Sequence, residues 1–120
     1  APLQEAAVVG LRFGDDYYKW LRDKYTHMRT LFLDGLDRIG ITHNGPQGAY
    51  YVMVDVSEFG YSSDLKLCEA LAQYVGVGAV PGSSFFREPV NHLIRMHFAR
   101  GTDVLDEAVR RLEKLQALLK

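Results

Sequence analysis

"AVPGSSFFREPVNHLIRMHFAR", residues 79–100, decides how this chain is read. A Pro-Gly corner stops one short run, two adjacent phenylalanines follow, and after a polar break Leu93–Ala99 reads as a strand. Side chains alternate along a strand, so Ile94, Met96 and Phe98 share one face while Leu93, Arg95, His97 and Ala99 share the other. The first face suits a core. Arg95 sits in the middle of the second. It is either a solvated arginine on an open sheet face or a receptor for a carboxylate or phosphate, whose geometry its planar, two-pronged donor set matches.

Upstream, "LQEAAVVGL" (residues 3–11) reads as a short helix closed by Gly14. Asp15 or Asp16 then caps a helix expected over residues 16–39. Tyr18, Leu21, Tyr25, Met28, Phe32, Leu36 and Ile39 follow at spacings of three and four, which marks one buried stripe, and Gly40 is its stop. "HNGPQG" is turn material and leads into "AYYVMVDV", a continuously apolar run that predicts a central strand. Ser63 or Asp64 caps a helix with Leu65, Cys68, Leu71, Ala72 and Val75 on one face, and "VGAV" is a short strand ended by Pro81-Gly82. Thr102 or Asp103 caps the terminal helix, whose inner face is Leu105, Ala108, Val109, Leu112, Leu115 and Leu119; Lys120 ends the chain, which suits the helix dipole. The order α-α-β-α-β-β-α predicts an α+β fold. Its sheet is small, mostly antiparallel and about three strands wide, with helices on one face, including a long N-terminal helix and a C-terminal one.

The 120 residues suit one domain. A net charge of -1 gives no pull towards nucleic acid or an anionic membrane, and no apolar run reaches the roughly 20 residues that span a bilayer. Cys68 is the only cysteine, so no internal disulfide or CxxC site exists, and a reducing cytoplasm fits. The chain opens Ala1-Pro2-Leu3 without methionine, which fits processing, a tag scar or a cut through a longer protein.

Other candidate chemistry is sparse. Ser83 and Ser84 lack a G-x-S-x-G elbow. His27, His43, His92 and His97 lack metal-ligand spacing, so no metal site is expected. Asp55, Glu58 and Asp64 read as turn and cap residues, and Cys68 as core. No Gly-rich phosphate loop is present. "VPGSSFF" is either a plain turn or a corner shaping a pocket, with Phe85, Phe86 and Tyr50 as candidate walls. Tyr50 and Tyr51 point to opposite faces, so one is expected in the core.

Five segments in order resemble the class I/II aminotransferases, the fold-type I enzymes that use pyridoxal phosphate (PLP). They are "YTHMRTLFLDGLDRIGI", "GPQGAYYVMVDVS", "GVGAVPGSSFF", "NHLIRMHFAR" and "LDEAVRRLEKL", and the likeness runs over residues 3–118. The resemblance implies the C-terminal small domain of such an enzyme over residues 15–120, with residues 1–14 ending a helix on the large-domain side. It implies that Arg95 binds the substrate's α-carboxylate, with the PGxxF corner beside it. Met28 stands where a basic residue is usual.

In that family a lysine in an S-K-x-x-x-x-G-x-R context carries PLP. Lys19, Lys24, Lys66, Lys114 and Lys120 all lack that context. The implied reading is therefore a fragment that is inactive alone and holds no PLP. Its full-length parent would be a cytoplasmic homo-oligomeric enzyme that moves an amino group between an amino acid and a 2-oxo acid. The alternative is a free-standing module, derived from that domain, that binds a small carboxylate or a partner chain; a purely structural remnant is a third reading.

Overall fold

A computed structural model of the chain describes residues 1–119, with side chains through residue 117; the places expected for Leu119 and Lys120 lie outside these described side chains. The described residues form α1 (Pro2–Leu11), α2 (Asp15–Arg38), β1 (Tyr51–Asp55), α3 (Asp64–Ala70), β2 (Val80–Pro81), β3 (Leu93–His97) and α4 (Thr102–Leu119). The strands make one antiparallel sheet in the order β1-β3-β2, so the fold is α+β as expected.

Helix α2 is flanked by Gly14; Asp15 and Asp16 are not caps but first-turn residues, where their charge faces the positive end of the helix dipole. It ends in a Schellman turn. Gly40 takes φ +76°, its N–H donates to the Asp37 carbonyl at 3.0 Å, and the Ile41 N–H donates to the Leu36 carbonyl at 2.9 Å. The expected stripe is buried only in its second half. Met28, Phe32, Leu36 and Ile39 are core, Leu21 and Tyr25 are half-buried, and Tyr18 is exposed. The cause is length: 24 helical residues reach roughly 36 Å, whereas a five-residue strand spans about 17 Å.

Strand β3, not β1, is central. Burial in β1 alternates instead of running continuously, with Val52 and Val54 inward and Tyr51 outward, because only one face of the sheet is covered. The outer edge of β1 is partly paired: the Asp55 N–H donates to the Thr42 carbonyl at 2.8 Å and the Asn44 N–H to the Met53 carbonyl at 3.0 Å. Strand β2 is shifted from Val77–Val80 to Val80–Pro81, on an edge where a proline's missing N–H does no harm.

Helix α3 is capped by Ser63, whose Oγ accepts from the Lys66 N–H at 3.3 Å. It buries Leu67, Cys68, Ala70 and Leu71, while Leu65 and Ala72, both expected inward, are exposed. The helix widens into a π turn over Leu71–Val75, which rotates the following residues off the α-helical face, and Gly76 ends it at φ +72°. Before α4, the Gly101 carbonyl accepts from the Val104 and Leu105 N–H groups, so Gly101 takes the flanking place expected of Thr102 or Asp103.

The inner sheet face (Val52, Val54, Ile94, Met96) and Phe98 pack with Phe32 and Leu36 of α2, Leu67 and Leu71 of the α3 region, and Leu105, Val109 and Leu112 of α4. Helices α2 and α4 meet at Gly35, where an added Cβ would stand 2.6 Å from a Val109 methyl. Cys68 belongs to this core, and burial, with Asp64 nearby, pushes its thiol up to about 11. Among the described residues no helix is long and apolar enough to cross a membrane.

Candidate functional site

The outer face of the sheet carries the candidate site. Register pairs Met53 with Arg95, Tyr51 with His97 and, on the other side, Val80 with Arg95, so these side chains share that face. Arg95 is half-buried. Its Cζ lies 4.0 Å from the centroid of the Phe85 ring and 4.8 Å from that of Tyr51. Tyr51 comes from β1 and Phe85 from the turn after β2, and these strands flank β3 on opposite sides, so the guanidinium is held between two rings. Such contacts are worth about 0.5–2 kcal/mol each. Contact with the ring faces leaves the N–H groups on the guanidinium edge available to a planar anion.

A cavity of about 360 Å³ opens beside this arginine. Tyr50, Arg95, His97 and Arg100 line it, and no acidic residue does. Among the described residues no carboxylate pairs with Arg95. An arginine without a carboxylate partner, beside a cavity with no acidic lining, makes a site that attracts an anion.

The four side chains expected at the site are placed differently. Arg95 is its centre, Phe85 is in ring contact with it, and Tyr50 lines the cavity. Phe86 is exposed and makes no ring contact with Arg95. Tyr51 was missed, because one of the tyrosine pair was expected in the core. Both are exposed, at 52% for Tyr50 and 38% for Tyr51, since inward parity begins at Val52.

The corner that carries Phe85 is fixed by backbone packing. A Cβ at Gly82 would collide with the Leu93 carbonyl, so only glycine lets β2 turn this close to β3. Ser83 and Leu65 hold Asp64: the Ser83 N–H donates to Asp64 Oδ2 at 2.7 Å, and the Leu65 N–H donates to Asp64 Oδ1 at 2.9 Å. Burial raises the Asp64 pKa, but the hydrogen bonds from Ser83 and Leu65 outweigh it and leave the carboxyl below its ordinary value. Asp55 is a turn residue, held low mainly by the Ser57 hydroxyl at 2.6 Å and the Ser57 N–H at 2.9 Å.

A PLP cofactor does not fit the described residues, because it needs a lysine at the site. Lys19 and Lys24 lie on α2, Lys66 on α3 and Lys114 on α4, all exposed, and none lines the cavity beside Arg95. The described residues also hold no cluster of three metal-ligating side chains.

Residues 1–112 match the family model described as aminotransferase class I and II. The chain is 34% identical to the probable N-succinyldiaminopimelate aminotransferase DapC of Mycobacterium tuberculosis, over 96% of this chain and 32% of that protein. It is 33% identical to the methionine aminotransferase of Escherichia coli, over 95% of this chain and 30% of that protein. The solved structure of N-succinyldiaminopimelate aminotransferase from Mycobacterium tuberculosis superposes with a TM-score of 0.85 at 36% identity, covering 96% of this chain and 30% of that one. The chain thus spans about a third of the length of the curated relatives it matches.

Proposed function

Because the chain belongs to the class I and II aminotransferases, we propose that it is the small, substrate-gripping domain of a PLP-dependent amino-acid aminotransferase, with Arg95 as the receptor for the substrate's α-carboxylate. The observation that carries this reading is Arg95 itself: half-buried, set between Phe85 and Tyr51, unpaired among the described residues, and facing a cavity without acids.

In this reading residues 15–120 are the C-terminal domain and residues 1–14 end a helix shared with the large domain. Helix α1 supports the division, since it buries no residue and leaves Leu3 and Leu11 more than 80% exposed. The open outer face of the sheet would close towards the large domain, which excludes water and fixes the orientation of the amino or 2-oxo acid. PLP, when bound by that other part of the protein, supplies the electron sink for chemistry at the substrate's Cα. This chain contributes binding and orientation, and the isolated 120 residues are catalytically inert.

The test is a transamination assay with a panel of amino acids and 2-oxo acids. The expected result is turnover by the full-length protein and none by the 120-residue chain supplied with PLP. Turnover by the short chain, or none by a PLP-loaded full-length protein with any donor, contradicts the proposal.

One observation favours the second reading, a free-standing carboxylate-binding module: the inner sheet face and three helices close a core without further chain. That module would bind a simple carboxylate saturably without any partner. A titration of the outer-face amides of Tyr51 and Met53 by NMR separates it from a half-site that needs the large domain.

A further inference from the structure

Asp64 is the one charged residue buried in the described structure, at 2% exposure. It is not needed as a cap, because Ser63 fills that role for α3. Burying a carboxylate costs several kcal/mol unless it is well partnered, and no lysine or arginine pairs with Asp64 among the described residues. Hydrogen bonds answer it instead, from the Ser83 N–H and side chain and from backbone N–H groups of the helix start. Leu65 donates to Oδ1 at 2.9 Å within the helix, and Ser83 donates to Oδ2 at 2.7 Å from a segment 19 residues away. The second bond ties the start of α3 to the Gly82–Phe85 turn. That turn is also pressed against β3 at Gly82, so it is fixed at two adjacent residues. Two residues beyond Ser83 stands Phe85, whose ring lies 4.0 Å from the Arg95 guanidinium carbon.

We infer that Asp64 is a positioning residue for the anion site: its buried carboxylate holds the Gly82–Phe85 turn so that the Phe85 ring fixes the Arg95 guanidinium. The inference deepens the reading of Arg95 as a carboxylate receptor and rests on it for its functional meaning. Asp64 does not line the cavity beside Arg95, so it acts only through the turn. Asparagine is the informative replacement. Its amide has one acceptor oxygen for two N–H donors, and its NH2 group would face a donor at one of the two positions.

The experiment uses NMR of the native chain, Asp64→Asn and Phe85→Leu, without any ligand. A ring 4.0 Å from the Arg95 Cζ is expected to shift the Arg95 Hδ and Nε–Hε protons upfield, and F85L measures how much of that shift the ring causes. D64N is expected to lose the same upfield shift while the methyl signals of Leu36, Ile94 and Val109 stay native. A folded D64N with native Arg95 shifts overturns the inference. Hydrogen exchange in the native chain decides the matter even if D64N does not fold: the Ser83 amide is expected to be protected, and exchange at the rate of an open turn overturns the link. Neither readout involves a carboxylate ligand. A failure here therefore leaves the receptor reading standing, and a failure of that reading leaves this coupling measurable.

Discussion

Arg95 shows how one residue's meaning changes with its neighbours. Strand alternation puts it on the outer face, and this much was legible in the sequence. Its two rings were only half legible. Phe85 followed from the corner motif, but Tyr51 did not, since the parity of two adjacent tyrosines depends on where the strand starts. Asp64 was hidden for another reason: Ser63-Asp64 before an apolar run reads as a local cap, and nothing in the sequence reveals a partner 19 residues away. The Pro-Gly corner, by contrast, was legible and has a steric cause. Gly82→Ala is expected to cost about 1–3 kcal/mol of stability, because the new methyl meets the Leu93 backbone, which cannot yield as a flexible side chain would. Chemical denaturation checks this, and an unchanged midpoint would refute the close contact.

Among the elements, the long helices were legible because their periodic apolar positions and glycine stops are local signals. Strand order was not, since apolarity in "AYYVMVDV" does not distinguish a central strand from an edge strand whose outward side chains include Tyr51 and Met53. The shift of β2 and the π turn after α3 come from tertiary pairing and have no sequence signature. The contact of α2 with α4 gives a prediction whose sign is decided by magnitudes. In a free helix, replacing glycine by alanine gains about 1 kcal/mol. At Gly35 the new Cβ would stand 2.6 Å from a Val109 methyl, and overpacking costs about 1–3 kcal/mol. Gly35→Ala is therefore expected to be neutral to destabilising by ~2 kcal/mol, and Gly35→Ala with Val109→Ala less so than the sum of the single changes. Additive single and double variants in thermal denaturation would show that the two sites do not touch.

The whole molecule is elongated, with a radius of gyration of 16.7 Å against the ~14 Å expected for this length. The excess lies in α1 and the first half of α2, where Leu11 and Trp20 are exposed at 81% and 55%. Exposed apolar side chains gathered on such an arm favour association in water. Sedimentation velocity is expected to show mass rising with concentration and Trp20→Glu to reduce it; a clean monomer at high concentration would contradict this. Acid should also loosen the fold. Asp55 and Asp64 both have pKa values lowered by folding, so each stabilises the native state above its unfolded pKa near 4 and loses that contribution as pH falls through the folded value. The melting temperature is expected to drop between about pH 5 and about pH 2, less so in D64N, and a flat profile would refute it. Whether Arg95 receives a substrate carboxylate is decided by steady-state kinetics of the full-length protein carrying Arg95→Lys. Lysine keeps the charge but not the two-pronged geometry. A raised KM and a kcat/KM lower by roughly 10- to 100-fold are expected, and a wild-type kcat/KM in that variant would refute the role of Arg95.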